Sequence, residues 1–176
     1  MKKTNLKKTS FTQNNHKQSL GMGKIALFAG SFDPFTLGHD SIVRRTLEFT
    51  DQVVIGIGKN EGKHMMFTPE RRKEMISAIY EGNDRVKVEI YNGLTTDFAS
   101  EIGACMLVRG IRTIADFEYE RGLADINRRL TGIETVLLIT EHQLSYISST
   151  AVRELIRYGK DVSQFLPEGM NIDLKP

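Results

Sequence analysis

Apolar residues along this chain are grouped in five short runs, at 24–29, 52–58, 85–91, 105–108 and 134–139. Such runs are typical of buried strands, and the segments between them, at about 39–47, 68–81, 95–102, 115–130 and 148–158, have the spacing of helices. Thr68 before Pro69 predicts the N-cap of the second helix, Ser148 or Ser149 that of the fifth, and a short helix is predicted around 162–165. The alternation predicts an α/β fold, a Rossmann-like, doubly wound, five-stranded parallel sheet with helices on both faces.

The segment 24–39 joins the first strand to the first helix through a polar loop that contains glycine. Gly30 lets another group approach the backbone closely, and Gly38 leaves the first helical turn uncrowded beside His39. Free N–H groups and the positive end of a helix dipole attract phosphate, and an imidazole adds a directed donor that can also carry charge. The loop therefore predicts a phosphate site. An ordinary turn with a capping histidine is the alternative.

Polar residues follow every predicted strand, and the carboxyl ends of parallel strands share one edge of a sheet. We expect this rim to collect Ser31, His39, Lys59, Lys63, Thr95, Arg109, Arg112, Ser145, Ser148 and Ser149. Arg109 ends an apolar strand, where a charge is costly without an anionic partner. The alternatives are a solvated Lys63, an Arg112 that pairs with Asp116 or Glu118, and serines that only cap a helix.

Length and composition narrow the function classes. The chain has 176 residues, 40% of them hydrophobic, which suits a single domain at 23–176. A net charge of +2 gives no general attraction to polyanions, so we expect neither a nucleic-acid nor a membrane partner. The single cysteine, Cys105, indicates a reducing compartment, and we expect a cytoplasmic protein. His16, His64 and His142 lack metal-ligand spacing and are interpreted as surface residues.

Residues 1–22 differ in composition from the rest of the chain. They contain five lysines and no acidic residue, which predicts a mobile basic N-terminal arm. An arm that binds nucleic acid or an anionic membrane is one alternative, and a cloning remnant is another.

Three segments resemble a known enzyme family. GSFDPFTLGH at 30–39 resembles the Thr-x-Gly-His form of the nucleotidyltransferase signature, and ISST at 147–150 is similar to its second motif. RGIR at 109–112, followed by DFEYE at 116–120, resembles the phosphopantetheine adenylyltransferases in particular. The likeness covers about residues 24–168.

The resemblance implies transfer of the adenylyl group of ATP to phosphopantetheine, giving dephospho-coenzyme A and pyrophosphate. It implies Mg²⁺, a homohexamer, feedback by coenzyme A, and catalysis by His39, Lys63 and Ser31, with His39 stabilising the transition state at the α-phosphate. The residues implied to hold phosphopantetheine are Ser31, Lys63, Thr95 and Arg109. Those implied on the ATP side are Ser31, Phe32, His39, Gly110, Ile111, Arg112, Glu120, Leu144, Ser145, Tyr146, Ile147, Ser148, Ser149 and Thr150, and no protein metal ligand is assigned.

Three features depart from the family pattern. Leu144 stands where an aromatic residue is common, Thr95 replaces a more apolar residue, and residues 1–22 have no counterpart. The first two put the contacts expected at those positions in doubt.

The implied chemistry is consistent with the residue types. The phosphate of phosphopantetheine is an anion at pH 7 and needs no general base. The enzyme must hold two mutually repelling phosphates in line and neutralise the charge that builds on the α-phosphate, which suits cations from several loops.

Two other functions remain open. One is a related nucleotidyltransferase with another phosphorylated acceptor, such as a pyridine mononucleotide or a polyol phosphate. The other is a nucleotide-binding module without catalysis. An aminoacyl-tRNA synthetase is disfavoured because the chain is short and carries Ser148-Ser149 where a lysine-bearing loop is expected.

Overall fold

The computed structural model describes residues 23–59 and 64–172. Within them, the strands are β1 (Ile25–Gly30), β2 (Gln52–Gly58), β3 (Val86–Tyr91), β4 (Met106–Ile111) and β5 (Glu134–Ile139). The helices are α1 (Leu37–Thr46), α2 (Pro69–Ile79), α3 (Thr95–Glu101), α4 (Ile114–Thr131) and α5 (Ser149–Arg157), with 3-10 turns at His142–Leu144 and Ser163–Phe165. The strands form one parallel sheet in the order β3-β2-β1-β4-β5, which confirms the predicted doubly wound α/β fold.

Helices cover both faces of the sheet, as predicted. Alternate residues of a strand point to opposite faces, so Ala26 and Phe28 of β1 pack on one side with residues of α1, α2 and α5. Leu27 and Ala29 pack on the other side with residues of α3. Helix α4 contacts α3, β4 and β5. Each face therefore has its own apolar core.

The two central strands separate before they end. β1 and β4 pair only from Ala26↔Met106 to Phe28↔Val108, whereas β1 stays paired with β2 as far as Gly30. β4 stays paired with β5 as far as Ile111. A crevice therefore opens at the carboxyl edge between β1 and β4, where the strand order reverses and where ligands bind in such sheets.

Strand β4 is longer than its apolar run predicted. The run ends at Val108, but pairing with the edge strand β5 carries the strand on through Arg109, Gly110 and Ile111. The prediction that these residues follow the strand is therefore wrong, because partnership with one neighbour is enough to keep the backbone extended. Arg109 and Gly110 line the crevice from within the strand instead.

Helix ends follow the predicted caps. The Thr68 hydroxyl accepts a hydrogen bond from the Arg71 N–H at 3.1 Å, with Pro69 at the first helical position. Of the two serines considered for α5, Ser148 is the cap, and its hydroxyl accepts from the Ala151 N–H at 3.1 Å. The short helix near the C-terminus is a 3-10 turn. β2 and β5 have the predicted bounds, and the remaining boundaries, the end of β4 aside, lie within two residues of prediction.

Two further sequence expectations concern the ends of the chain and membranes. The predicted arm, residues 1–22, lies outside the described residues. In the part of the chain that the structure describes, no helix combines the length and apolar character that membrane crossing requires.

Candidate active site

A cavity of about 660 Å³ opens at the crevice between β1 and β4. This volume is typical of small-molecule sites. The predicted site residues that line it are Ser31, Phe32, His39, Arg109, Gly110, Arg112, Glu120, Ile147, Ser148, Ser149 and Thr150. Residues from the ends of β1 and β4 and from the starts of α1 and α5 thus meet at one site.

Six predicted residues lie outside the cavity wall, namely Lys59, Thr95, Ile111, Leu144, Ser145 and Tyr146. The Thr95 hydroxyl is hydrogen bonded to the Tyr91 hydroxyl at 2.7 Å at the start of α3. The Ser145 hydroxyl donates to the His142 carbonyl at 2.8 Å. Lys63 lies outside the described residues, so its role stays a prediction.

The loop between β1 and α1 is shaped by the ring of Phe32. Phe32 has a φ of 49°, and a Cβ added at Gly30 would lie 2.8 Å from the tip of its ring. Gly30 is needed for close approach, as predicted, but the approaching group is this ring. The Phe32 ring also packs edge-on against Phe28, with 5.1 Å between centroids.

His39 is the third residue of α1 and belongs to its cap. Its Nδ1 accepts a hydrogen bond from the Thr36 N–H at 3.0 Å. The proton of the neutral ring is therefore on Nε2. Burial, with Arg112 and Arg109 nearby, lowers the pKa of His39 from 6.5 to about 4. At pH 7 the unliganded site thus holds a neutral imidazole that can donate one hydrogen bond.

Arg109 has its anionic partner within the protein. Its Nε and Nη2 donate to the two carboxylate oxygens of Glu120 at 2.8 and 2.6 Å. Its Nη1 donates to the Ala29 carbonyl across the gap between β1 and β4. Glu120 is 7% exposed and is the buried residue of α4. The arginine therefore links both strands to α4.

Arg112 pairs with Asp116, one of its two predicted partners, and it also lines the cavity. Its Nε lies 3.5 Å from a carboxylate oxygen of Asp116, and its Nη1 donates to the Ile147 carbonyl at 3.2 Å. It is also exposed. Arg112 is therefore the guanidinium of the rim that solvent reaches most readily, since Arg109 is half-buried.

Three residues that the sequence reasoning did not single out organise the loops. The Asp33 carboxylate accepts hydrogen bonds from the Met66 and Phe67 N–H groups at 2.8 and 2.9 Å. Arg72, 1% exposed, donates to the carbonyls of Ser31 and Phe67. Burial lowers the pKa of Arg72, an effect that nearby acidic groups oppose. Nothing in the surface-like sequence of α2 marks Arg72 as buried.

The third of these residues is Arg153, which ties α5 to the β1–α1 loop. Its Nη1 donates to the Asp33 carbonyl at 2.6 Å, and the Ser149 hydroxyl donates to the Pro34 carbonyl at 2.8 Å. Arg153 also lines the cavity. Its position four residues after Ser149 places it on the same side of the helix, which is the signal that could have identified it.

The arrangement is suited to binding phosphate groups. The N-termini of α1 and α5 and three arginines line the cavity. They outnumber the acidic side chains of the described wall, which are the two carboxylates Asp116 and Glu120. Among residues 23–59 and 64–172, no cluster of histidine, cysteine and acidic side chains could hold a metal ion. The described site therefore offers cationic groups and hydrogen-bond donors.

The lowered pKa of His39 predicts a stability that depends on pH. The unfolded chain takes up a proton near pH 6.5 and the folded chain near pH 4, so unfolding becomes easier as the pH falls through this window. Because of the His39 titration, we expect the free energy of unfolding to be about 2 kcal/mol smaller at pH 5 than at pH 7. Denaturant unfolding at the two pH values measures this loss.

The matched variant is His39→Gln, because glutamine at the third helical position can retain the capping hydrogen bond but does not titrate. We expect this variant to lose less stability than the wild type over the same interval. Equal losses in both proteins would show that His39 has an ordinary pKa.

Comparison with known proteins agrees with the fold and the motifs. The cytidylyltransferase-like family model matches residues 27–155. The chain is 57% identical over 148 residues to a phosphopantetheine adenylyltransferase of Bacteroides thetaiotaomicron, covering 84% of this chain and 98% of the relative. It is 60% identical to that of Phocaeicola vulgatus over the same shares, and 58% identical to that of Porphyromonas gingivalis over 85% and 97%.

A solved structure has the same fold at low sequence identity. It is a bifunctional NMN adenylyltransferase/ADP ribose pyrophosphatase from Francisella tularensis, complexed with AMP and a manganese ion. The TM-score is 0.64 at 18% identity, over 84% of this chain and 45% of that one. By its family model and its relatives, this chain belongs to the cytidylyltransferase-like family and, within it, to the phosphopantetheine adenylyltransferases.

Proposed function

We propose that this protein transfers the adenylyl group of ATP to phosphopantetheine, releasing pyrophosphate and forming dephospho-coenzyme A. The observation that carries the proposal is a cavity at the β1/β4 crevice, lined by arginines and two helix N-termini, in a chain 57–60% identical to phosphopantetheine adenylyltransferases. The activity places the protein in coenzyme A biosynthesis, and we propose that it acts in the cytoplasm.

In this reaction a phosphate oxygen of phosphopantetheine attacks the α-phosphorus of ATP. A new P–O bond forms, the bond to the oxygen that bridges the α- and β-phosphates breaks, and pyrophosphate leaves with the electron pair. The attacking phosphate is already ionised, so no group of the protein has to remove a proton. The protein has to align the two phosphates and stabilise the charge that develops between them.

His39 is proposed to donate its Nε2 proton in a hydrogen bond to an oxygen of the α-phosphate. The Thr36 N–H holds Nδ1 and so fixes which nitrogen faces the cavity. Burial is the main cause of the lowered His39 pKa, with Arg112 and Arg109 adding to it, and the negative charge of a bound phosphate would raise that pKa. Lys63 and Ser31 are proposed to act beside it, on the implication of the family resemblance.

The two substrates are proposed to use different parts of the wall. The N-termini of α1 and α5, with Arg112, would meet the phosphates of ATP. Arg109 would meet phosphopantetheine: Glu120 and Ala29 occupy three of its five N–H groups, which leaves two for a ligand. Glu120 would then act by orienting Arg109, in addition to its proposed place on the ATP side.

Magnesium is proposed to enter as part of the Mg-ATP substrate. Mg²⁺ is commonly held by substrate phosphates and water with few protein carboxylates. The described wall fits this mode, because Asp116 and Glu120 already engage arginines. Removing free Mg²⁺ should accordingly abolish turnover.

An acceptor panel tests the proposed reaction. With ATP and Mg²⁺, we expect pyrophosphate release with phosphopantetheine and a product with the mass of dephospho-coenzyme A. We expect no release with a pyridine mononucleotide, or with a polyol phosphate supplied with CTP. Product from one of those acceptors, or ATP turnover without any acceptor product, would contradict the proposal.

His39→Ala tests the role of the imidazole. Loss of one preorganised donor typically costs about 10²- to 10³-fold in rate, so we expect kcat to fall by that factor while Mg-ATP still binds. His142→Ala is the control, because His142 is an exposed histidine outside the cavity. Near-normal turnover of His39→Ala would remove His39 from the mechanism.

We propose that the protein assembles as a homohexamer through α4, and that coenzyme A feeds back on it. On α4, Tyr119, Leu123, Ile126 and Leu130 lie at helical spacing on one side. Tyr119, Ile126 and Leu130 are 65%, 54% and 63% exposed, so the helix presents an uncovered apolar stripe. A second copy of the chain would cover it.

Light scattering tests the assembly. We expect a mass near six times 19.9 kDa for the wild type and a smaller species for Ile126→Glu with Leu130→Glu. Tyr158→Glu, on the exposed surface of α5, should leave the mass unchanged. A monomer in the wild type would exclude the hexamer.

A further inference from the structure

The loop at 64–67, between β2 and α2, forms part of the cavity wall through His64 and Met65. Within the described residues, no backbone-to-backbone hydrogen bond joins 64–67 to the β1–α1 loop. Its position beside that loop therefore depends on side chains.

The Asp33 carboxylate supplies the direct connection. Its Oδ2 accepts from the Met66 N–H and its Oδ1 from the Phe67 N–H, at 2.8 and 2.9 Å. Each oxygen thus accepts from one of two adjacent amides of the loop, and Oδ2 also lies 4.0 Å from the Nε of Arg153 on α5. Asp33 is 1% exposed, so no substrate can reach this carboxylate directly.

Arg72 supplies a second connection, in which the side chain donates hydrogen bonds instead of accepting them. It donates to the carbonyls of Ser31 and Phe67, so it joins the same two loops from the carbonyl side. The Asp33 carbonyl in turn accepts from Arg153 of α5 at 2.6 Å. Asp33 therefore lies where two loops and one helix of the cavity wall meet.

The His39 side of the site is fixed by other contacts. The Thr36 N–H holds the His39 ring, and the Ile147 carbonyl holds Arg112. The Ser149 hydroxyl is hydrogen bonded to the Pro34 carbonyl. None of these bonds uses the Asp33 carboxylate, so its loss would release the 64–67 loop first.

We propose that Asp33 is a positioning residue for the acceptor half of the reaction: its carboxylate holds the 64–67 loop against the β1–α1 loop while the ATP half is held independently. The inference rests on the proposed function. The 64–67 loop follows β2, on the opposite side of β1 from β4 and β5, whose following segments are proposed to meet ATP.

Amide hydrogen exchange tests the positioning without any substrate. In Asp33→Asn the side-chain NH₂ cannot accept, so at least one of the two amides loses its partner. We expect exchange at Met66 and Phe67 to accelerate by at least about 10-fold, with the Ala151 amide unchanged. Wild-type exchange rates at both amides would overturn the proposal.

Kinetics test the consequence for the reaction. We expect kcat/KM for phosphopantetheine to fall by about 10- to 100-fold in Asp33→Asn. The affinity for the unreactive analogue α,β-methylene-ATP, measured by calorimetry, should stay within about threefold of the wild type. An equal loss on both sides would show a general structural role and contradict the proposal.

Two further variants make the result specific. Asp161→Asn is the control, because the Asp161 carboxylate also accepts two hydrogen bonds, from the Ser163 N–H and hydroxyl, outside the cavity. It should retain wild-type kinetics.

If Asp33→Asn does not fold, Asp33→Glu repeats the comparison, since its longer side chain cannot reproduce both bonds. Failure of the acceptor panel in the wild type would overturn the proposed function and with it the assignment to the acceptor half, whereas the positioning of the 64–67 loop by Asp33 is tested separately by the exchange measurement, which needs no acceptor.

Discussion

The separation of β1 from β4 beyond Phe28 and Val108 is the constraint on which the site depends. Where a ladder of backbone hydrogen bonds stops, the freed groups need other partners. Arg109 meets this need by donating from Nη1 to the Ala29 carbonyl while Glu120 accepts from its Nε and Nη2. The crevice is thus kept open by a polar bridge, and the loops after both strands reach the same cavity.

Charges near the cavity fall into two groups with different physical roles. Asp33, Arg72 and Glu120 are buried, and each is hydrogen bonded within the protein, as a buried ion requires. These three residues fix the positions of the loops, strands and helix around the cavity. Arg112 and the helix N-termini remain accessible and can meet a ligand. His39 differs from both groups, because burial, with smaller contributions from Arg112 and Arg109, lowers its pKa to about 4 and keeps the ring neutral at pH 7.

The fold and most of the rim could be predicted from sequence because apolar runs, caps and the β1–α1 motif are local signals. The end of β4 could not, because Arg109 to Ile111 are held extended only by the edge strand β5. The partner of Arg109 could not be identified either, since Glu120 lies eleven residues away on a helix that reads as charged surface. Arg72 is recognisable only once distant loops are packed against it, whereas Arg153 could have been identified from its spacing to Ser149 on α5. Lys63 and the N-terminal arm remain predictions.

The two sides of the cavity are held by contacts of different range. His39 is fixed by Thr36, three residues away, so its orientation follows from helix formation alone. The 64–67 loop is fixed by Asp33, which is 33 and 34 residues away in sequence from Met66 and Phe67. The loop therefore takes its position only when β1, β2 and α2 have packed. The single motif at 30–39 therefore contains a local capping contact, made by His39, and a long-range contact, made by the Asp33 carboxylate. The first contact orients the His39 ring toward the cavity, and the second places the 64–67 loop beside the β1–α1 loop.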